Sequence, residues 1–414
     1  MLFVATLPGA LKAEPQNFQG VLTLKDAVAR IQTSGFDVRA ARGDEAMAAA
    51  DAATARALLR PQITVAVIGL DGNEPQLGLP VSNQAYGQAA LTLPLFTPST
   101  GASARASFST AQAAGTTVTA TSNDAVYVAV REYRRAQLSS AVFEARQAAV
   151  RDQQDHLRLT QIRVASGKSP RYMLARDRAA LALAEQSAED ASSEKDQAAN
   201  DLAALLDYGA LSRLGIETLS VESFDETREA VLARALAQQP ALLAADQRVA
   251  GAGAALNAGR GAYLPSASLT AQSYNGTSSP FLGRSGGQIQ ITATLPVVDG
   301  GSRSAAVARA RGDLDKATAL RDQLRVNVER DVADAYREFE AARRNLDTAQ
   351  ASQNDAQEQL RIARLREAAG KGIELETLDA LAVAAQVRET SLRAFARFDV
   401  AIAAIHHAAG DSRG

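Results

Sequence analysis

Three acids follow closely behind a glycine: Glu374, Glu376 and Asp379 come after Gly370. Glu376 and Asp379 are spaced so that, on a helix, they share one face. Repeated around a symmetry axis, such acids make a ring that suits cation binding or an electrostatic closure. A second glycine, Gly167, is followed by the opposite charge in Lys168, Arg171 and Arg176. Arg171 or Arg176 paired with Glu376 or Asp379 would latch two segments of chain together. A plainer reading stands beside this one. The helix dipole favours acids at a helix start, and exposed ion pairs contribute little.

Catalytic and cofactor-binding patterns fail on spacing. Gly167-Lys168-Ser169 resembles the end of a phosphate-binding loop, but Ile162 stands where the earlier glycine is required. Gly251-Ala252-Gly253 lacks a third glycine and follows no predicted strand, so it is no dinucleotide fingerprint. The histidines are His156, His406 and His407. None has a neighbouring Cys or carboxylate at ligand spacing, which predicts ordinary surface side chains and no metal. No Ser-His-acid or His-Glu-x-x-His arrangement is present. Cys is absent, which removes disulfides, thiolate sites and a Cys nucleophile. With 44 Lys+Arg against 46 Asp+Glu, nothing basic invites nucleic acid. The expectation is no catalytic residue, no cofactor, no metal and no enzyme.

The two charged turns belong to a chain written twice. Leu59-Arg60-Pro61-Gln62-Ile63 is echoed by Tyr263-Leu264-Pro265-Ser266-Ala267, and Leu93-Pro94-Leu95-Phe96 by Leu295-Pro296-Val297-Val298. Arg131-Glu132-Tyr133 is echoed by Asp334-Ala335-Tyr336, and Ser166-Gly167-Lys168 by Ala369-Gly370-Lys371. All four pairs keep their order at an offset of about 203 residues, far beyond a solenoid period. The offset marks a duplicated half.

Each half predicts helix, strand, strand, very long helix, helix. The long stretches about 99–166 and 302–369 contain no Pro. At 1.5 Å per residue each spans about 100 Å, far beyond an ordinary helix. Gly167 and Gly370 end them and open tight turns, after which helices of about 170–206 and 374–408 return antiparallel. Strands of about 62–96 and 266–297 make two hairpins. Ile289, Ile291, Ala293 and Leu295 alternate with Gln288, Gln290, Thr292 and Thr294, which gives one greasy and one wet face.

No run reaches the roughly 18 apolar residues of a membrane-spanning helix, so a membrane crossing here requires a closed β-barrel. Leu2 to Leu11 is apolar and resembles the later part of a secretory signal without its basic start. Four strands cannot close a barrel, and their edges would stay exposed. Three chains would supply twelve strands, above the roughly eight of the smallest membrane barrels. The fold class expected is an α+β membrane protein: internally duplicated, with long α-helical barrel columns plus four β-strands per chain, closing as a 12-stranded β-barrel in a trimer.

These features together resemble the TolC-like outer-membrane efflux family, over about Leu22 to Ala408. The family turn pattern, roughly Arg-Tyr-x-x-Gly, keeps its arginines here as Arg163 and Arg366. Val164 and Glu367 replace the tyrosine. The resemblance implies a homotrimer with its β-barrel in the outer membrane and its α-helical barrel crossing the periplasm. It implies docking to a periplasmic adaptor (membrane fusion) protein and an inner-membrane transporter. It also implies a closure where helices converge beside the glycine turns, which makes Glu374, Glu376, Asp379, Arg171 and Arg176 the candidate periplasmic gate and Arg163, Gly167, Lys168, Arg366, Gly370 and Lys371 the candidate adaptor-docking turns. The aromatic girdle candidates are Tyr86, Phe96, Tyr263, Tyr274 and Phe281.

The expected division is a signal-like segment over 1–20, a first repeat over 21–206, an equatorial linker over 207–226, a second repeat over 227–408 and a tail over 409–414. The function expected is a channel subunit of a tripartite efflux pump for small molecules. Type I protein secretion and a non-channel coiled-coil scaffold in the envelope remain as alternatives.

Overall fold

The computed structural model describes residues 19–74, 79–208, 213–218, 224–276 and 285–411. The signal-like segment therefore lies outside the described residues except at its end, as do Phe281 and the last residues of the tail. The first half runs β1 (Gln19–Leu22), α1 (Leu24–Ser34), α2 (Phe36–Ala57), β2 (Gln62–Glu74), β3 (Leu79–Phe96), α3 (Pro98–Ala165) and α4 (Arg171–Leu205). The second runs β4 (Arg213–Ile216), α5 (Arg228–Gln238), α6 (Pro240–Gly261), β5 (Ser266–Gly276), β6 (Ser285–Thr294), α7 (Ser302–Ala368) and α8 (Glu374–Ala408). The two strings have the same order of elements. Among the described residues, no helix is long and apolar enough to cross a membrane.

The chain groups by contact into two units, and each draws on both halves. The first takes the described residues of Met1–Ala40, Thr119–Gln239 and Asn327–Gly414; the second takes Ala41–Val118 and Pro240–Val326. The long helices α3 and α7, of 68 and 67 residues, contribute to both.

In the first unit each half builds its own small core. Leu22, Ile31, Val130, Tyr133, Leu202 and Leu206 are buried where α1, α3 and α4 meet. Val231, Val332, Phe339, Phe398, Ile402 and Ile405 do the same for α5, α7 and α8. Thr23 caps α1 by accepting from the Asp26 amide, and Thr227 caps α5 by accepting from the Ala230 amide. Strand β1 pairs in parallel with β4, so the described residues include two short strands beyond the four expected, one of them inside the expected linker. Helices α1 and α5 were also not anticipated as separate elements. Each is only 11 residues long, and its short apolar pattern gains stability by docking on the long helices.

In the second unit α6 packs against the start of α3. Ser99 Oγ donates to the Ala258 carbonyl at 2.9 Å, and a Cβ on Gly261 would meet the Ser99 amide nitrogen at 2.8 Å. That approach is open only to glycine. Above the helices stands one antiparallel sheet in the order β2-β3-β5-β6. The two hairpins join through β3 and β5, so β2 and β6 each have one partner strand and one free edge.

The register sorts the side chains by chemistry. Ile63, Leu91, Ala271 and Ile289 are aligned across the sheet, and Leu93, Leu269 and Ile291 form the next such row. The opposite face carries Gln62, Thr92, Thr270 and Gln290 in one row, and Thr64, Ala90, Gln272 and Gln288 in the next. On the apolar face Ile63, Val65 and Ile289 are 76%, 74% and 77% exposed. This inverts the usual soluble arrangement, in which contiguous aliphatic surface is buried.

Candidate functional site

Gly167 and Gly370 both take the left-handed conformation, with φ of 73° and 69°. At each, the glycine N–H donates to the carbonyl three residues back and the following lysine N–H donates to the arginine carbonyl. Lys168 N–H reaches Arg163 O at 2.8 Å, and Lys371 N–H reaches Arg366 O at 2.9 Å. This is the two-bond Schellman ending of a helix. It explains why glycine stands at both positions: a Cβ costs roughly 1–2 kcal/mol in that conformation.

The two turns of the duplicated chain are tied to each other within the first unit. Arg163 of α3 donates to Glu367 of α7, whose carboxylate is buried. Glu367 is the residue that replaces tyrosine in the family pattern, and here it anchors the opposite turn. Ser169 Oγ donates to the Glu374 carboxylate at 2.6 Å, and the Thr160 hydroxyl donates to its other oxygen. Arg364 pairs with Asp152 at 2.9 Å.

The gate candidates separate by partner. Arg176 and Asp379 form an exposed pair at 3.8 Å between α4 and α8. Glu376 pairs at 3.8 Å with Arg366, not with Arg171 or Arg176. Arg171 is exposed and forms no ion pair among the described residues. Glu374 is half-buried and held by two hydroxyls of the first half. Of the docking candidates, Lys168, Lys371, Gly167, Gly370 and Arg366 are exposed on the turns, while Arg163 is partly buried by its ion pair. Of the girdle candidates, Phe96 and Tyr263 are exposed near one end of the sheet. The side chains of Tyr86 and Tyr274 lie outside those described.

One expectation is overturned. His156 is not a surface residue: it is 4% exposed and faces Asp177, which is fully buried. Sequence spacing hid this pair because its members lie on different helices. The available signal was symmetry about the turn. His156 precedes Gly167 by about as many residues as Asp177 follows it, so an antiparallel α3–α4 hairpin brings them level.

Long helices ending in paired glycine turns, with a sheet that has one aliphatic and one polar face, define the class by architecture: a TolC-like fold. Residues 231–411 match the family model described as "Outer membrane efflux protein". The chain is 32% identical over 148 residues to the outer membrane protein OprJ of Pseudomonas aeruginosa, a match over 34% of this chain. The aligned stretch spans 31% of that relative's length. The fold agrees over nearly the whole chain with a membrane protein from Pseudomonas aeruginosa, at TM-score 0.80, 21% identity and coverage of 99% and 96% of the two chains. The Campylobacter jejuni CmeC outer membrane channel gives TM-score 0.81 at 19% identity, covering 97% and 90%. The open state of the Neisseria gonorrhoeae MtrE outer membrane channel gives 0.79 at 19%, covering 100% and 98%.

Proposed function

We propose that this protein is an outer-membrane channel subunit that closes a twelve-stranded β-barrel as a homotrimer and provides the periplasm-spanning exit duct of a tripartite efflux pump. The observation that carries the reading is the sheet. It has a free edge on each side, an exposed aliphatic face and a polar face of Gln and Thr. Edges in contact with lipid would leave backbone groups unsatisfied, and three copies pairing β2 to β6 remove every edge. The polar rows then line the lumen and the aliphatic rows meet lipid. The protein is no enzyme in this reading. A periplasmic adaptor and an inner-membrane transporter are its partners, and the adaptor docks on the exposed turns around Gly167 and Gly370. The two repeats are residues 21–206 and 227–408, joined by the linker 207–226.

The periplasmic closure is placed at the same turns, with Arg176–Asp379 and Arg366–Glu376 as its exposed ion pairs. Glu374 and Arg171 have different places in it. Glu374 braces the two hairpins from inside, and Arg171 is the cation left to meet a neighbouring subunit.

The test is envelope fractionation of cells producing the chain, followed by planar-bilayer conductance of the purified protein. Retention in the outer-membrane fraction after carbonate washing, with discrete conductance steps that widen in Glu376→Gln/Asp379→Asn, is the expected result. Recovery in the carbonate wash or the soluble fraction would replace the channel with an envelope scaffold. Unchanged conductance in the double variant would remove the gate assignment alone.

A further inference from the structure

In the first unit, close to the turn that follows α3, three side chains from three helices converge: His156 of α3, Asp177 of α4 and Glu374 of α8. One donor atom from each lies within 4.8 Å of the others. His156 Nε2 stands 3.7 Å from Asp177 Oδ2, too far for a hydrogen bond. Asp177 is fully buried, yet neither of its carboxylate oxygens has a hydrogen-bond partner among the described residues, and His156 Nε2 has none either. A buried carboxylate and a buried imidazole nitrogen left this way carry a large desolvation cost. These three orphaned atoms belong to two side chains of the same cluster.

We propose that His156, Asp177 and Glu374 form a binding site for a first-row divalent transition metal, zinc being the best fit. The donor set decides the class. An imidazole nitrogen with two carboxylates suits zinc and its neighbours, whereas calcium and magnesium take all-oxygen shells. Charge agrees: two ligating carboxylates and a neutral imidazole balance a dication in a place where net charge is expensive. Distance agrees as well. Zinc–ligand bonds of about 2.0–2.1 Å put neighbouring tetrahedral donors about 3.3 Å apart, so the His156–Asp177 separation needs only a small closing.

The surroundings are those of a ligand-orienting shell. The Thr160 and Ser169 hydroxyls both donate to Glu374 and fix its carboxylate while leaving it lone pairs for a metal. His156 also lines a cleft of about 260 Å³, with Asp152, Asp155 and Thr377 in its wall. A metal there would join the first hairpin, α3 and α4, to the start of α8. The site rests on these contacts and not on the channel reading.

The experiment uses the full chain, purified without a polyhistidine tag, stripped with chelator and titrated with Co²⁺ alone. The expected result is about one Co²⁺ per chain with the intense visible bands of a tetrahedral site, displaced by Zn²⁺. Binding is lost in His156→Gln and in Asp177→Asn, and kept in His406→Gln/His407→Gln. X-ray absorption of the zinc-loaded unmodified chain, which depends on no variant folding, is expected to show one imidazole in a shell otherwise of oxygen. Absence of tight Co²⁺ binding by the unmodified chain, a shell with no imidazole or with two, or stoichiometry unchanged in both His156→Gln and Asp177→Asn would overturn the site.

Discussion

Tyr133 and Tyr336 hold equivalent places in the two halves and make the same bond. The Tyr133 hydroxyl donates to the Leu22 carbonyl at 2.8 Å, and the Tyr336 hydroxyl donates to the Glu226 carbonyl at 3.0 Å. Each carbonyl immediately precedes the threonine that caps a short helix. Burial, with the nearby Glu217 charge second, pushes the Tyr133 phenol above its ordinary value of 10.0. The folded state therefore holds this proton more tightly than the unfolded chain. The contribution is complete below that ordinary value and is lost as pH rises through the raised one. Tyr133→Phe is expected to cost about 1 kcal/mol at neutral pH and to flatten the alkaline limb of a melting-temperature profile. The echo of the two tyrosines was visible in the sequence, but their partners were not, because each carbonyl lies on a distant element.

Glu367 makes the same point more sharply. By pattern it is only a departure from the family turn; in space it is a buried anchor for Arg163. Glu367→Ala strands a guanidinium and is expected to cost about 2 kcal/mol. Glu376→Gln removes an exposed contact and should cost under about 0.5 kcal/mol. Parallel thermal melts of the two variants distinguish these roles, and equal losses would contradict the assignment.

At the scale of elements, the alternation in β6 was legible because the side-chain period of a strand is two. It could not say which face met what, since a half-buried soluble hairpin has the same pattern. The structure leaves both faces of β6 open, so the aliphatic row of Ile289 and Ile291 is as exposed as the polar one and lacks a cover within the described residues. With that face against lipid, Ile289→Lys is expected to cost about 2–4 kcal/mol near the bilayer midplane and to lower the yield of folded protein in vesicles. Gln290→Lys, on the polar face, should fold nearly as well as the parent chain. The long helices were legible to within a residue or two, because neither stretch contains an interior Pro and the isolated Gly101, Gly115 and Gly312 weaken a long helix without ending it. The short α1 and α5 were not, since they depend on docking for their stability.

At the scale of the molecule, a chain without cysteine makes oligomer geometry directly testable. Thiols introduced in β2 at Thr64 and in β6 at Gln290 lie on opposite edge strands of one sheet. If neighbouring copies join edge to edge, a panel of such pairs stepped along β2 and β6 will yield oxidised dimers and trimers on a denaturing gel. A panel giving only monomer would show that the sheet edges do not meet.

Periodicity and duplication by themselves determine much of this protein: two equivalent halves, helices of about 100 Å, amphipathic strands and glycine turns. Each of these is a local or repeating property, carried by neighbouring residues or by the same residues seen twice. Tertiary structure alone decided which charges meet, that Glu376 finds Arg366 and not the basic residues of the other turn, and that His156 is buried beside Asp177. Those outcomes depend on the rotation of one helix against another. That rotation is set by packing along the whole contact, so no single stretch of sequence encodes it.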